Sequence, residues 1–253
     1  MQVLAINGSY RTKGTTARLL EAALEGAASK GASTDVVMLR DRNIQWCTNC
    51  LKCYNDLESP LGPCSVDDDM TAILEQVQRA DGILFGSPIH NGFLTALMTL
   101  FIERMVWRVC RPTGTIGGLR GTPEPRQDKV RALASIVSAG GMPARLRSAC
   151  DGTPWLKENC TLYLNGFWVG DMYAAADLVR LPESDEEWAR MYHLRRLSAS
   201  QIAKARELGE RLAETIARGD IRPTPPMGRL SEVIARVVTR YLKLYKTVDE
   251  SEA

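Results

Sequence analysis

The sequence predicts an α/β protein, a parallel β-sheet covered by helices on both faces. Three observations carry this. Short apolar runs, several with β-branched centres, recur along the chain. Amphipathic stretches with helical spacing separate them, which is the pattern of β-α-β units. The length of 253 residues, with 45% hydrophobic residues, leaves enough apolar side chain to bury both faces of such a sheet.

In chain order, residues 2–6 (QVLAI) read as the first buried strand. Residues 16–29 follow as a helix with Leu19, Leu20 and Leu24 on one face. Residues 34–40 (TDVVMLR) read as the second strand, and 67–79 as a helix with acids at its start, where the helix dipole favours them. Residues 82–85 (GILF) form the third strand. Residues 94–109 form a strong helix, with Leu97, Leu100, Phe101 and Met105 at helical spacing. Residues 130–137 (VRALASIV) and 161–169 (TLYLNGFWV) complete five strands, and 185–218 is a long helical segment with room for a break.

Two segments exceed a minimal five-strand unit. Residues 111–129, rich in Gly, Pro and Arg, are expected as a long loop: a surface insertion, a lid or a dimer contact. Within 222–246, RPTPPMG introduces a basic amphipathic helix with Val233, Val237, Tyr241 and Leu244, expected to pack on its own domain or a sister subunit. The expected division is one domain at 1–220 and a helical C-terminal extension at 221–253.

A net charge of +2 gives no electrostatic reason for nucleic acid or a membrane as main partner. The longest uncharged apolar stretch, 92–102, is far short of the about 20 residues a membrane span needs. The first residues, MQVLAINGSY, lack the basic and apolar segments of a secretory signal. The expected location is the cytoplasm. Thiols stay reduced there, so clustered cysteines read as metal-binding or redox-active before disulfides are considered.

Residues 8–16 (GSYRTKGTT) join the first strand to the first helix, at the strand's carboxyl end, where open α/β sheets bind ligands. Hydroxyls of Ser9, Thr15 and Thr16, cations of Arg11 and Lys13, and backbone N–H groups at a helix start together suit a phosphate dianion. The plainer reading is a solvated turn. The order Lys13-Gly14-Thr15 is not that of a nucleotide P-loop, and no G-x-G-x-x-G fingerprint is present.

Cys47, Cys50 and Cys53 recur at intervals of three, and Cys64 follows after residues 54–63. Three thiolates so spaced can wrap one corner of an iron–sulfur cubane, and a fourth can close it. The spacing leaves open a [4Fe–4S] cluster, bare redox-active or structural thiols, or zinc, although zinc fingers usually pair two separated knuckles. Cys110, Cys150 and Cys160 read as ordinary thiols. Asp67, Asp68 and Asp69 read as helix caps rather than a divalent-metal site. Arg79, Arg104 and Arg108 read as decoration of helix faces or a subunit interface.

Gly8-Ser9-x-Arg11 with Gly14-Thr15-Thr16 resembles the phosphate loop of the NADPH-dependent FMN reductase group of flavodoxin-like proteins. Gly86-Ser87-Pro88-Ile89-His90-Asn91-Gly92 resembles that group's second flavin loop, with His90 and Asn91 where an aromatic residue is usual. Phe101-Ile-Glu-Arg104 resembles its Phe-x-Asp-Arg helix ending, and Ser138-Ala-Gly-Gly141 its third flavin loop. The likeness covers roughly residues 1–215. The cysteine run, with Cys64-Ser-Val-Asp-Asp-Asp-Met70, resembles the iron–sulfur flavoproteins, with a longer spacer before Cys64.

The resemblance implies a flavodoxin-like, doubly wound five-stranded sheet of order 2-1-3-4-5, with FMN across the strand ends. Ser9, Arg11, Lys13, Thr15 and Thr16 would hold the phosphate. Pro88, Ile89, His90, Asn91 and Gly92 would meet the isoalloxazine ring, and Ala139, Gly140 and Gly141 its other edge. Cys47, Cys50, Cys53 and Cys64 would hold a [4Fe–4S] cluster. His90, one of two histidines, is a candidate proton donor, against the plainer reading that it packs within its loop. The implied activity is NAD(P)H oxidation through FMN, with the nicotinamide a transient co-substrate and a quinone, small organic substrate or redox partner as acceptor. The alternatives are an electron carrier exchanging with ferredoxin, and a binding module whose flavin site has decayed. The family implies a homodimer or homotetramer.

Overall fold

The first apolar run, β1 (Gln2–Asn7), alternates its side chains between two cores, with Val3 and Ala5 facing one and Leu4 and Ile6 the other. In this computed structural model, which describes residues 1–116 and 119–225 together with Val233, Val237 and Arg240, β1 sits inside the sheet. Helix α1 (Thr15–Ser29) crosses one face to β2 (Ser33–Met38), which pairs parallel to β1 as an edge strand. One turn of helix, α2 (Lys52–Asn55), lies within the cysteine segment, and α3 (Met70–Arg79) returns over the opposite face. β3 (Gly82–His90) pairs parallel to the other side of β1.

The segment expected as a second loop is a hairpin tip. β3 runs on to His90 and pairs antiparallel with β4 (Phe93–Leu94) through Asn91 and Gly92. These two residues have φ of 49° and 83°, the positive values that a two-residue type I′ turn needs and Asn-Gly adopts readily.

Helix α4 (Ala96–Val109) is capped by Thr95, whose hydroxyl accepts from Met98 N–H. The long loop expected at 111–129 is instead largely an antiparallel ribbon, β5 (Cys110–Ile116) with β6 (Leu119–Pro125). Its glycines and prolines read as breakers, yet Pro112, Gly114, Gly121 and Pro123 lie at irregularities of pairing. A Cβ on Gly114 would stand 2.9 Å from the carbonyl oxygens of Thr122 and Pro123, beside two register shifts.

β7 (Arg131–Ser138) is the fourth core strand and is buried throughout. The fifth begins later than expected. Residues 161–163 end a helix, α5 (Thr153–Tyr163), which starts with Pro154 in its first turn. Asn165 then takes φ of 52°, and β8 (Gly166–Ala174) follows. The segment 185–218 is broken. β9 (Asp177–Leu178) pairs with β10 (Arg195–Arg196) around α6 (Asp185–Ala189), before α7 (Ala199–Arg218) begins with a Ser198–Gln201 capping box.

The parallel sheet has the order β2-β1-β3-β7-β8, the expected 2-1-3-4-5 order counted over its core strands. α3, α4 and α5 cover one face, and α1 and α7 the other. The last two touch backbone to backbone. A Cβ on Gly209 would stand 1.7 Å from the Ala23 carbonyl oxygen, and one on Gly26 2.1 Å from that of Arg206. Thr224 straps the following chain onto β8: its N–H donates to Gly166 O at 2.8 Å and its hydroxyl accepts from Trp168 N–H at 2.9 Å. The amphipathic helix expected within 222–246 lies almost wholly outside the described residues. Its Val233, Val237 and Arg240 are helical, and both valines are exposed. Among the described residues, no helix is long and apolar enough to cross a membrane.

Candidate functional site

The chain leaves β1 in opposite directions to build β2 and β3, so a crevice opens between the carboxyl ends of β1 and β3. Short polar bonds shape its walls. The buried Asn7 accepts the Ser9 N–H on its side-chain oxygen at 2.9 Å. Ser9 Oγ accepts from Arg11 N–H at 3.0 Å and lies 3.1 Å from the Arg11 carbonyl, to which it donates. Gly8 N–H donates to Gly86 O, and the Thr95 hydroxyl donates to Gly8 O at 2.7 Å. The buried hydroxyls of Thr16 and Ser138 meet at 2.8 Å and join the first loop to the end of β7.

These bonds frame a cleft of about 420 Å³. It brings together Ser9, Arg11, Thr15, Thr16, Pro88, Ile89, His90 and Gly140 of the expected residues. Lys13 is not among them. It lines a larger groove of about 760 Å³ between α1 and the edge strand β2, away from the β3 hairpin. Asn91, Gly92, Ala139 and Gly141 also stand off the cleft wall. Asn91 and Gly92 form the hairpin turn, Ala139 is buried, and Gly141 is backed by the Arg195 guanidinium, whose Nη2 lies 2.0 Å from where a Cβ would be. Gly140 has φ of 35° and nothing within 4 Å of its missing Cβ, so its backbone faces open space.

The start of α1 borders this cleft. Its N-cap, Gly14, brings no side-chain hydrogen bond, and the first turn holds no acid. The helix-start N–H groups therefore present a positive end suited to an external anion. Sequence reasoning left three wall residues, Tyr10, Gly14 and Ser138, out of the expected site. All three lie inside motifs already singled out, and their position beside Ser9, Thr15 and Ala139 was the available signal. Tyr10 stacks on His90 with ring centroids 5.4 Å apart and planes 18° from parallel, so His90 does pack within the cleft wall.

The second constellation follows the carboxyl end of β2. Left-handed backbone at Asn49 (φ 51°) and Leu51 (φ 57°) folds the cysteine run back on itself. Cys47, Cys50, Cys53 and Cys64, all free thiols, line one pocket walled by Arg104, Trp107 and Arg108 of α4. No three potential ligands converge in metal-binding geometry among the described residues. Backbone N–H groups of Asn49 and Val66 donate to the sulfurs of Cys47 and Cys64, each at 3.4 Å. Hydrogen bonds from the Ser65 hydroxyl and the Lys52 backbone lower the Cys50 thiol to about 7, whereas burial raises that of Cys53.

The arginines of α4 are not surface decoration. Arg104 and Arg108 are each 3% exposed. Arg104 pairs with Asp68 through Nη1 at 2.6 Å and Nη2 at 3.3 Å, donates to the Gln45 carbonyl, and reaches Cys64 Sγ at 3.4 Å. The aspartates thus do more than cap α3. Asp69 occupies the N-cap position without a side-chain cap bond and accepts Asn43 N–H instead. Asp68 accepts from Gln45 and Met70 N–H as well as from Arg104. Burial by itself would raise the Asp68 carboxyl, but these bonds and the Arg104 charge outweigh it and hold it below its ordinary 3.8.

Arg108 donates from Nε to Gly62 O at 2.8 Å and from Nη2 to the Thr71 hydroxyl at 3.1 Å. Among the described residues its buried Nη1 has no hydrogen-bond partner. Burial lowers its pKa, and the neighbouring Cys64 thiol opposes that shift. A third arginine, Arg126, follows the β5–β6 ribbon. It donates to the carbonyls of Cys53 (2.8 Å), Asp56 (2.6 Å), Ser59 (2.9 Å) and Cys110 (2.9 Å). The long spacer before Cys64 is thereby wrapped around a guanidinium from a distant element.

A family model described as NADPH-dependent FMN reductase matches residues 1–169. An iron–sulfur flavoprotein of Methanocaldococcus jannaschii is 34% identical over 104 residues, 41% of this chain and 51% of that protein. One from Archaeoglobus fulgidus is 32% identical over 120 residues, 47% of this chain and 52% of that protein. The chain thus spans about half the length of these curated relatives. Among solved structures, a flavone reductase superposes with a TM-score of 0.56 at 18% identity, covering 91% of this chain and 67% of that one. An FMN-dependent NADH-azoreductase from Bacillus anthracis gives 0.56 at 14% identity, covering 84% and 100%. These structures share the flavodoxin-like fold with this chain. With its model matched over residues 1–169 of 253, the chain belongs to the NADPH-dependent FMN reductase family.

Proposed function

We propose that this protein is an FMN-dependent oxidoreductase that takes electrons from NAD(P)H and passes them to a quinone, a small organic acceptor or a redox partner. The strand-end cleft is the observation that carries the reading. Its about 420 Å³ falls in the usual range for small-molecule sites, it ends on an uncapped helix start, and three separate loops border it. Ser9, Arg11, Thr15 and Thr16 would hold the FMN phosphate. Pro88, Ile89, His90 and Gly140 would border the ring, with Asn91 and Gly92 shaping the hairpin and Ala139 and Gly141 flanking Gly140. Lys13 would act from outside the cleft, through its charge. Bound FMN would supply hydride acceptance and delivery, while the chain binds it, orients it and keeps water from its reactive face. His90, at the cleft wall, would pass a proton there.

Cys47, Cys50, Cys53 and Cys64 would hold a [4Fe–4S] cluster, which supplies single-electron transfer when bound. Two observations support this assignment: four thiols share one pocket, and a buried guanidinium donor in its wall lacks a partner. Such a wall suits an anionic group. Two coarser features complete the reading. Residues 1–220 form the FMN-binding unit, with 221–253 an added helical extension, and the chain assembles as a homodimer or homotetramer.

The test is anaerobic purification, flavin quantitation, and steady-state oxidation of NADH and NADPH with a benzoquinone. We expect one FMN per chain and quinone-dependent turnover. Failure to bind added FMN would overturn the reading. Rapid exchange with reduced ferredoxin without nicotinamide turnover would replace the enzyme by an electron carrier.

A further inference from the structure

We propose that Arg108 donates a hydrogen bond to the anionic group held at the four cysteines and thereby raises its reduction potential. The inference rests on the reading of Cys47, Cys50, Cys53 and Cys64 as ligands of a [4Fe–4S] cluster.

Arg104 and Arg108 stand one turn apart on α4 and share the pocket wall, but their charges are treated differently. Arg104 is neutralised by Asp68. Arg108 has no carboxylate partner among the described ion pairs. Its Nε and Nη2 are committed to Gly62 and Thr71, which fix the plane of the guanidinium. The Gly62 N–H donates back to the Arg108 carbonyl at 2.7 Å, clamping that contact from both sides. The remaining edge, Nη1, is buried and unsatisfied. A buried cation with an unmade hydrogen bond is costly, and a bound anion would offset that cost.

Cys53 and Cys64 line the same pocket as Arg108. Four thiolates give a cluster net negative charge, and a one-electron reduction adds one more without moving a proton or a leaving group. A fixed donor and an uncompensated positive charge favour the more negative state. Arg108 is therefore a positioning and tuning residue for the cysteine site, distinct from the ligands themselves.

The test uses the full chain, reconstituted anaerobically with iron and sulfide, as wild type, Arg108→Met and Arg108→Lys. Iron and sulfide content is measured first. Dithionite titration with redox mediators then follows the cluster and, in the same sample, FMN. We expect both variants to load iron like wild type. In Arg108→Met the equilibrium constant for cluster reduction should fall at least tenfold, which is about 59 mV for one electron. Arg108→Lys keeps the charge but not the three-edged fork, and should fall less. The flavin should not shift in either. Loaded variants with a reduction equilibrium within twofold of wild type would overturn the role of Arg108 and leave the cluster reading intact. Iron loss from both variants, with wild type loaded, would reduce Arg108 to a structural part and overturn the tuning. Wild type that takes up no iron would overturn the cluster reading, and this inference with it.

Discussion

The strand-end cleft and the cysteine pocket both follow the carboxyl ends of neighbouring strands, and they are built from opposite materials. The cleft is shaped by neutral groups: Asn7 on Ser9, Ser9 on Arg11, Thr95 on Gly8, and Thr16 on Ser138. Its walls are strand ends, a helix start and a tight hairpin, which regular structure already positions. The pocket is shaped by buried charge. Arg104, Arg108 and Arg126 reach into an irregular segment and gather its carbonyls, its aspartate and one sulfur. A segment with little regular pairing of its own cannot satisfy its backbone groups internally, so long donors from rigid elements must do it. Removing one neutral hydrogen bond costs about 0.5–1.5 kcal/mol, whereas stripping one partner from a buried ion pair costs about 3–5 kcal/mol. The two sites should therefore break at different scales.

Asp68→Ala should break the contrast most strongly. It leaves Arg104 buried without its anion and should lower unfolding stability by about 3–5 kcal/mol in urea titration. Acid sharpens the same point. The Asp68 carboxyl is held below its ordinary 3.8, so its stabilisation is complete above that value and is lost as pH falls through the lower folded value. Asp68→Asn should remove this part of the acid loss, which unfolding midpoints between pH 5 and 2 would show.

Arg126→Ala should cost less, about 2–3 kcal/mol, because several carbonyls at the spacer can turn to water. Amide exchange should quicken across 53–62 and stay unchanged across 8–16. Equal quickening in both segments would erase the distinction between the sites.

Thr16→Val should cost about 1 kcal/mol of stability, with FMN affinity falling roughly fivefold in a fluorescence titration. Ser138→Ala should do the same, and the double variant should cost little more than either alone. The smallest effect is expected of Tyr10→Ala, about 0.5–1 kcal/mol, because an exposed ring stack is lost but no buried bond. If it alters flavin binding more than Thr16→Val, the cleft depends on its aromatic mouth and not on its hydroxyl framework.

Much of the sheet was legible because burial on two faces imposes patterns that survive in one dimension. β1, β3 and β7 are runs that must be apolar on both sides, and α1 and α4 carry helical stripes. The cleft loops were legible because topology puts them at strand ends. Where Lys13 points was not legible, because the path of a turn is not set by sequence periodicity; the loop sends Lys13 toward β2. The β5–β6 ribbon was hidden by glycines and prolines that mark turns in most contexts but mark bulges here. The arginines were misread because charge on a helix usually means solvent. Their burial depends on partners dozens of positions away, as with Asp68 and Gly62. A usable signal was present: Phe101, Arg104, Met105 and Arg108 follow the i, i+3, i+4, i+7 spacing of a buried face.

Arg126 also sets an order in time. It lies 73 positions after Cys53, whose carbonyl it holds. At a synthesis rate of about 5–20 residues per second, the cysteine segment leaves the ribosome roughly 4–15 s before the residue that fastens it. During that interval the carbonyls of Cys53, Asp56 and Ser59 lack their guanidinium, and the spacer is held only by donors that emerge earlier, such as Gln78 on Pro60 and Arg108 on Gly62. Once the ribbon docks, the same segment is drawn in under α4. Pulse alkylation of ribosome-bound chains of graded length would read this delay directly, as a step in thiol reactivity when residue 126 emerges.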